Sequence, residues 1–326
     1  MKKTLVLVLA LGFLHAVSAS AVAAGETVLP ESAPYSIDTP YSYPVVPGTE
    51  EWASLDGLPD MIDACHVPEA ILDNMTTESL LQTVLDYPLL GNIFAYDNPQ
   101  TGFEAIREYC NGLQELWDRP DAEEVVEQNL EEENFTDTHN IGQRTLATVL
   151  LQNLQELPLV GPAALNYVPH DYTTPKGSWV VFYEDMTWLD HGMTEADAEE
   201  MCAMLHFPYE QTGAMRLRDM DPSYNCHSYT FYSTSSSNNL WLDDSQVQIY
   251  ITDGSYNIVT PALVGDKAWY GEHHSAIVER VLTNGTVIVR SKWGFGGLYE
   301  HEFNNCPYES ETLEGPKFYR INPLYD

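Results

Sequence analysis

Residues 274–291 read HSAIVERVLTNGTVIVRS, two runs rich in β-branched and apolar residues on either side of Thr283-Asn284-Gly285. An Asn-Gly pair between two such runs is a strong hairpin signal, because both residues accept the left-handed backbone of a tight turn. Antiparallel strands are therefore expected at 274–282 and 286–291. The same reading places strands in GSWVVFYED (177–185), at 247–251 and at 317–321. MTEADAEEMCAMLHF (193–207) predicts a helix capped at Thr194, with acids in the first turn where the helix dipole favours them. Residues 165–326 thus read as an α+β domain built on an antiparallel sheet.

Upstream the texture is helical. In VPEAILDNMTTESLLQTVLDYPLL (67–90), Thr76 or Thr77 can cap a helix whose Leu80, Leu81, Val84 and Leu85 form one apolar stripe. Further helices are expected at 101–117, 120–131 and 141–156, which gives an all-helical domain over 56–160. Residues 25–55 contain PESAPYSIDTPYSYPVVPGTEE, rich in Pro, Ser, Tyr and acid without helical periodicity, and read as an extended linker. Residues 1–24 place two lysines before an apolar run that ends in small residues, the layout of a cleaved secretory signal.

Composition narrows the partners. Without Lys2 and Lys3 the chain carries 12 basic and 49 acidic residues, a net charge of −37. Such a surface repels nucleic acid and disfavours adsorption to anionic lipid. No run after the signal is long and uncharged enough to span a membrane. The expectation is a secreted, extracellular protein with no membrane span and no nucleic-acid partner. Five cysteines in an exported chain cannot all pair. Cys65 with Cys110 and Cys202 with Cys306 is one arrangement that leaves Cys226 free, and five buried thiols is the other.

Cys226 is the residue with a chemical setting. A thiol becomes a good nucleophile when a helix N-terminus or an imidazole stabilises its thiolate. In YNCHSYTFY (224–232) the text before the cysteine is loop-like, and CHSYTFY predicts a helix whose first N–H groups face the sulfur and could hold an oxyanion. His227 is a poor base on this reading, since neighbours on a helix point about 100° apart.

A nucleophilic Cys at a helix start, followed by a strand that opens with His and then small and β-branched residues, resembles the papain-like bacterial cell-wall hydrolases of the NlpC and CHAP type. YNCHSY, HSAIV and SKWG look closer still to an uncharacterised group of exported bacterial proteins with that presumed fold. The resemblance covers residues 215–322. It implies a papain-like domain in which Cys226 is the nucleophile and His274 the general base. NlpC-type enzymes carry a second His on the following strand, where this chain reads VIVRSKWG. Ser291, whose hydroxyl can accept an imidazole N–H, is the candidate for that place, with His301 and Asn304 behind it.

Trp293 in WGFGG (293–297) and Tyr224 are candidate substrate contacts. No cofactor is implied. There is no CxxC, and Asp243, Asp244 and Asp253 lack the spacing of a calcium loop, so no metal is expected. The implied function is cleavage of an amide in a peptide or cell-wall peptide, or acyl transfer by the same chemistry. A catalytically silent peptide- or glycan-binding surface protein of the same fold is the alternative, and a structural surface protein held by two disulfides is a third.

Overall fold

Helices precede the sheet in this computed structural model, which describes residues 36–132, 141–155, 168–184, 195–271, 273–308 and 317–326. The helices are α1 (Glu50–Ala53), α2 (Leu58–Ala64), α3 (Glu69–Leu72), α4 (Thr77–Leu85), a 3-10 turn over Leu90–Ala95, α5 (Pro99–Tyr109), α6 (Asn111–Trp117), α7 (Ala122–Glu132) and α8 (Ile141–Leu154). Thr76 caps α4, its side chain accepting from the Ser79 N–H. The single helix expected at 101–117 is two, because the extended backbone of Cys110 ends α5 and opens α6. The expected signal segment, residues 25–35 of the expected linker and the Thr194 cap lie outside the described residues.

The second half contains β1 (Val168–Thr173), β2 (Trp179–Glu184), α9 (Glu195–Glu210), β3 (Met215–Arg218), α10 (Cys226–Phe231), α11 (Asp244–Thr252), β4 (Tyr256–Val259), β5 (Lys267–Trp269), β6 (Ser275–Val281), β7 (Val287–Lys292), β8 (Leu298–Glu302) and β9 (Lys317–Ile321). β1 and β2 form an antiparallel pair, and the remaining strands form one sheet in the order β3-β8-β7-β6-β5-β9-β4. Every neighbouring pair in it is antiparallel. The class is α+β, with helices mostly in the first half. β6 and β7 are the expected hairpin, turned at Gly285 with φ of 93°. The strand expected at 247–251 is instead part of α11. Asp243 caps that helix by accepting from the Gln246 N–H, and the Gln246 side chain accepts from the Val181 N–H on β2.

Alternation along the strands divides the sheet into two faces. Ala268, Ala276, Val278, Val289, Tyr299 and Phe318 enter a core shared with the helices of the first half. Their neighbours Trp269 and Tyr319 pack with Val180, Phe182, Val247 and Tyr250, while Leu298 and Ile277 pack with Tyr224 and Tyr229. The sheet is thus the middle of three layers, with the first-half helices on one side and α10, α11 and the β1/β2 pair on the other.

The regions 56–160 and 165–326, read from sequence as separate domains, share that first core. Residues 36–55 are also not an extended linker. Tyr41 N–H donates to Thr83 Oγ1 at 2.9 Å, and Trp52, fully buried, donates its indole N–H to the Pro208 carbonyl at 2.9 Å. The tyrosines and Trp52 supply the apolar surface that the Pro- and Ser-rich text concealed.

Candidate active site

Two stacked layers meet at the start of β6. Cys226 opens α10, as the loop-then-helix text predicts. Its N-cap Asn225 accepts from the Ser228 N–H at 3.0 Å and from the Leu242 N–H at 3.2 Å, and its amide donates to the Leu242 carbonyl at 2.8 Å. The cap engages Ser228, so the N–H groups of the first turn that precede it are those of Cys226 and His227. The thiol is 2% exposed and donates to the His273 carbonyl at 3.7 Å.

The imidazole that carries charge here is His227, the one set aside from sequence. Its Nδ1 lies 2.8 Å from Ser275 Oγ and its Nε2 3.3 Å from Asp244 Oδ1. Burial alone would lower its pKa, but the Cys226 sulfur beside it and the Asp244 carboxylate outweigh burial and raise it well above the ordinary value. Asp244 receives a second bond from His273 Nδ1 at 2.7 Å. Burial pushes the Asp244 carboxyl upward, yet its bonds to His227 and His273 hold it at about 2. Cys226, His227 and Asp244 therefore form a connected line of thiol, imidazolium and carboxylate.

His274 does not complete that line. It turns to the helical side of the sheet and stacks on Tyr308, ring centroids 3.6 Å apart and planes within 6°. Among the described residues neither of its ring nitrogens has a hydrogen-bond partner. Burial, with His301 and His227 nearby, drives its pKa well below the ordinary value and leaves the ring neutral.

Ser291 does not orient it. The Ser291 hydroxyl lies 2.7 Å from His301 Nε2 and accepts from Trp293 Nε1 at 2.9 Å. His301 Nδ1 lies 2.8 Å from the Glu302 carbonyl, so Nδ1 carries the proton and Nε2 accepts from Ser291. Burial holds His301 at about 4, consistent with a neutral ring. Asn304, further along, approaches Gly57 with its carbonyl and accepts the Leu58 N–H at 2.9 Å.

The candidate substrate contacts are core residues. Trp293 is fully buried and stacks on Tyr299 at 4.1 Å, and Tyr224 is fully buried beside Tyr229 with the Lys292 ammonium 5.2 Å above its ring. Neither faces a cleft. The remaining cysteines are free thiols, the second of the two arrangements open from sequence, with Cys202 only partly buried. Cys306 donates to the Phe303 and Tyr308 carbonyls, at 3.6 and 3.7 Å. Burial pushes the thiols of Cys110 and Cys306 up to about 12 and that of Cys202 to about 11, and raises Cys65 as well.

Sequence reasoning missed the role of Asp244, which it weighed only as a calcium ligand, because that residue lies on the helix read as a strand. The chemical signal for Asp244 was its place one residue after a capping aspartate. Among the described residues no helix is long and apolar enough to cross a membrane. No family model, curated protein or solved structure matches the chain. On its own geometry, this is an α+β protein with a buried thiol and imidazolium beside a half-buried carboxylate near the start of β6.

Proposed function

We propose that this chain is an exported, papain-like cysteine hydrolase that cleaves an amide in a peptide or cell-wall peptide. The observation that supports the reading is the Cys226–His227–Asp244 line, in which a positively charged imidazole stands beside a thiol at a helix start. In this reaction the Cys226 proton already rests on His227, and the thiolate Sγ attacks the amide carbonyl carbon. Asp244 holds the imidazolium until it protonates the leaving amine. Water, giving a proton to the now neutral His227, then attacks the thioester, and the carbon–sulfur bond breaks to release the acid and restore the thiolate–imidazolium pair.

The near-complete burial of Cys226 favours a second reading, a catalytically silent peptide- or glycan-binding protein of the same fold. Iodoacetamide labelling near neutral pH, mapped by mass spectrometry, separates the two. The hydrolase reading expects Cys226 to be marked before Cys65, Cys110, Cys202 and Cys306, and expects His227→Ala to slow that labelling while His274→Ala leaves it unchanged. Labelling of Cys226 no faster than the other four supports the silent protein. Slowing by His274→Ala alone moves the base to His274, as the resemblance implies.

A further inference from the structure

The helices of the first half have no chemistry in the mechanism above, yet one of their residues reaches the nucleophile's support. Asp97 follows the Leu90–Ala95 turn, and its carboxylate oxygens lie 3.2 and 3.4 Å from the Asn225 side-chain nitrogen. That nitrogen also donates to Leu242, while the amide oxygen caps α10. Asp97 is the acceptor from the opposite layer in this set of bonds. An amide held at both ends cannot flip, and a flipped Asn225 would present N–H to the Ser228 N–H and lose the cap.

We infer that Asp97 is a positioning residue for Cys226: by fixing Asn225 it holds the start of α10, so the helical layer forms part of the site. The inference rests on the reading of Cys226 as the nucleophile.

The surroundings of Asp97 support a functional carboxylate. It faces Asp243 and Asp244 at the start of α11, His227 on α10, Asn225 before α10, and Lys292 and Tyr308 from the sheet side. Burial and the Asp244 carboxylate push it up to about 7, against the pull of His227 and the Asn225 bond. Below that pH Asp97 is neutral. Above it, a negative charge faces His227 and the start of α10, so the pH dependence of Cys226 labelling should bend where Asp97 ionises.

The experiment compares the rate of iodoacetamide labelling at Cys226, against pH, in the full chain and in Asp97→Asn and Asp97→Ala, with folding checked by circular dichroism. Asp97→Asn keeps an acceptor without the charge and should lose the inflection near pH 7. Asp97→Ala removes the acceptor and should slow labelling roughly five- to tenfold at every pH, the kinetic equivalent of a weakened cap. Should Asp97→Ala fail to fold, Asn225→Ala decides: it removes the cap that Asp97 holds, should slow labelling at least as much, and overturns the positioning role if the rate is unchanged. Labelling at the wild-type rate in Asp97→Ala overturns the positioning role and leaves the hydrolase reading intact, and an unchanged profile in Asp97→Asn overturns the role of its charge. A wild-type Cys226 no more reactive than the other thiols overturns both.

Discussion

His274 carries an unusual combination for a buried residue: full burial, a neutral ring and no partner for either nitrogen among the described residues. A buried polar group left unsatisfied costs about 1–3 kcal/mol, so such a residue weakens the fold it sits in. Phenylalanine keeps the stack on Tyr308 and removes the unsatisfied nitrogens. His274→Phe should therefore raise stability by about 1 kcal/mol, near 2 °C in Tm for a chain of this size, as read by calorimetry. Unchanged or lower stability would mean that the imidazole has a partner, such as bound water, that it needs. The same variant bears on function, since a stabilised protein that loses amide cleavage would identify His274 as a group retained for chemistry. His227 is the opposite case. Its two bonded nitrogens and its raised pKa make it the stabilised imidazole of the pair, although the two residues were weighed in the reverse order from sequence. Neighbouring helix side chains diverge by about 100°, which leaves His227 free to meet Asp244, a residue that α11 brings within reach of its Nε2.

At the scale of elements, the hairpin of β6 and β7 was legible because period-two alternation and an Asn-Gly turn agree. α4 was legible for a similar reason, its cap and its apolar stripe pointing the same way. α11 was not, since Val247, Ile249, Tyr250 and Ile251 favour a strand by local preference. Tertiary bonds from Gln246 to β2 and the Asp243 cap override that weak preference. The SKWG text, which the resemblance ties to the chemistry, is a docking element. The turn that follows Trp293 places Gly294 at φ of 46°, where a Cβ would stand 2.6 Å from the carbonyl oxygens of Phe94 and Ala95. Gly294→Ala should cost about 3 kcal/mol, from left-handed strain and the backbone clash together. Thermal melts of the variant measure it, and a loss below about 1 kcal/mol would mean that the turn can move away from the Leu90–Ala95 segment.

For the whole molecule, the prediction concerns the boundary drawn at about residue 160. The texture change there is real, but composition cannot reveal which faces of two neighbouring regions are covered by each other. Ala268, Ala276, Val278, Val289 and Phe318 share one core with the first-half helices, so removing those helices opens that core to water. A fragment of residues 165–326 should be insoluble or lack a cooperative melt, whereas the full chain should unfold in one transition. A fragment that is soluble and melts cooperatively would restore the two-domain division. The contacts that join the layers also span great lengths of chain. Trp52 meets Pro208 across 156 positions, Asp97 meets Asn225 across 128, and the Tyr308 hydroxyl meets Ala95 across 213. Contacts of such high order delay folding. A chain made from its N-terminus onward lacks Pro208 for Trp52 and Tyr308 for Ala95 until those later segments have been synthesised. It remains threadable over that interval, which is the state a polypeptide must keep if it is to pass through a translocation channel before it folds.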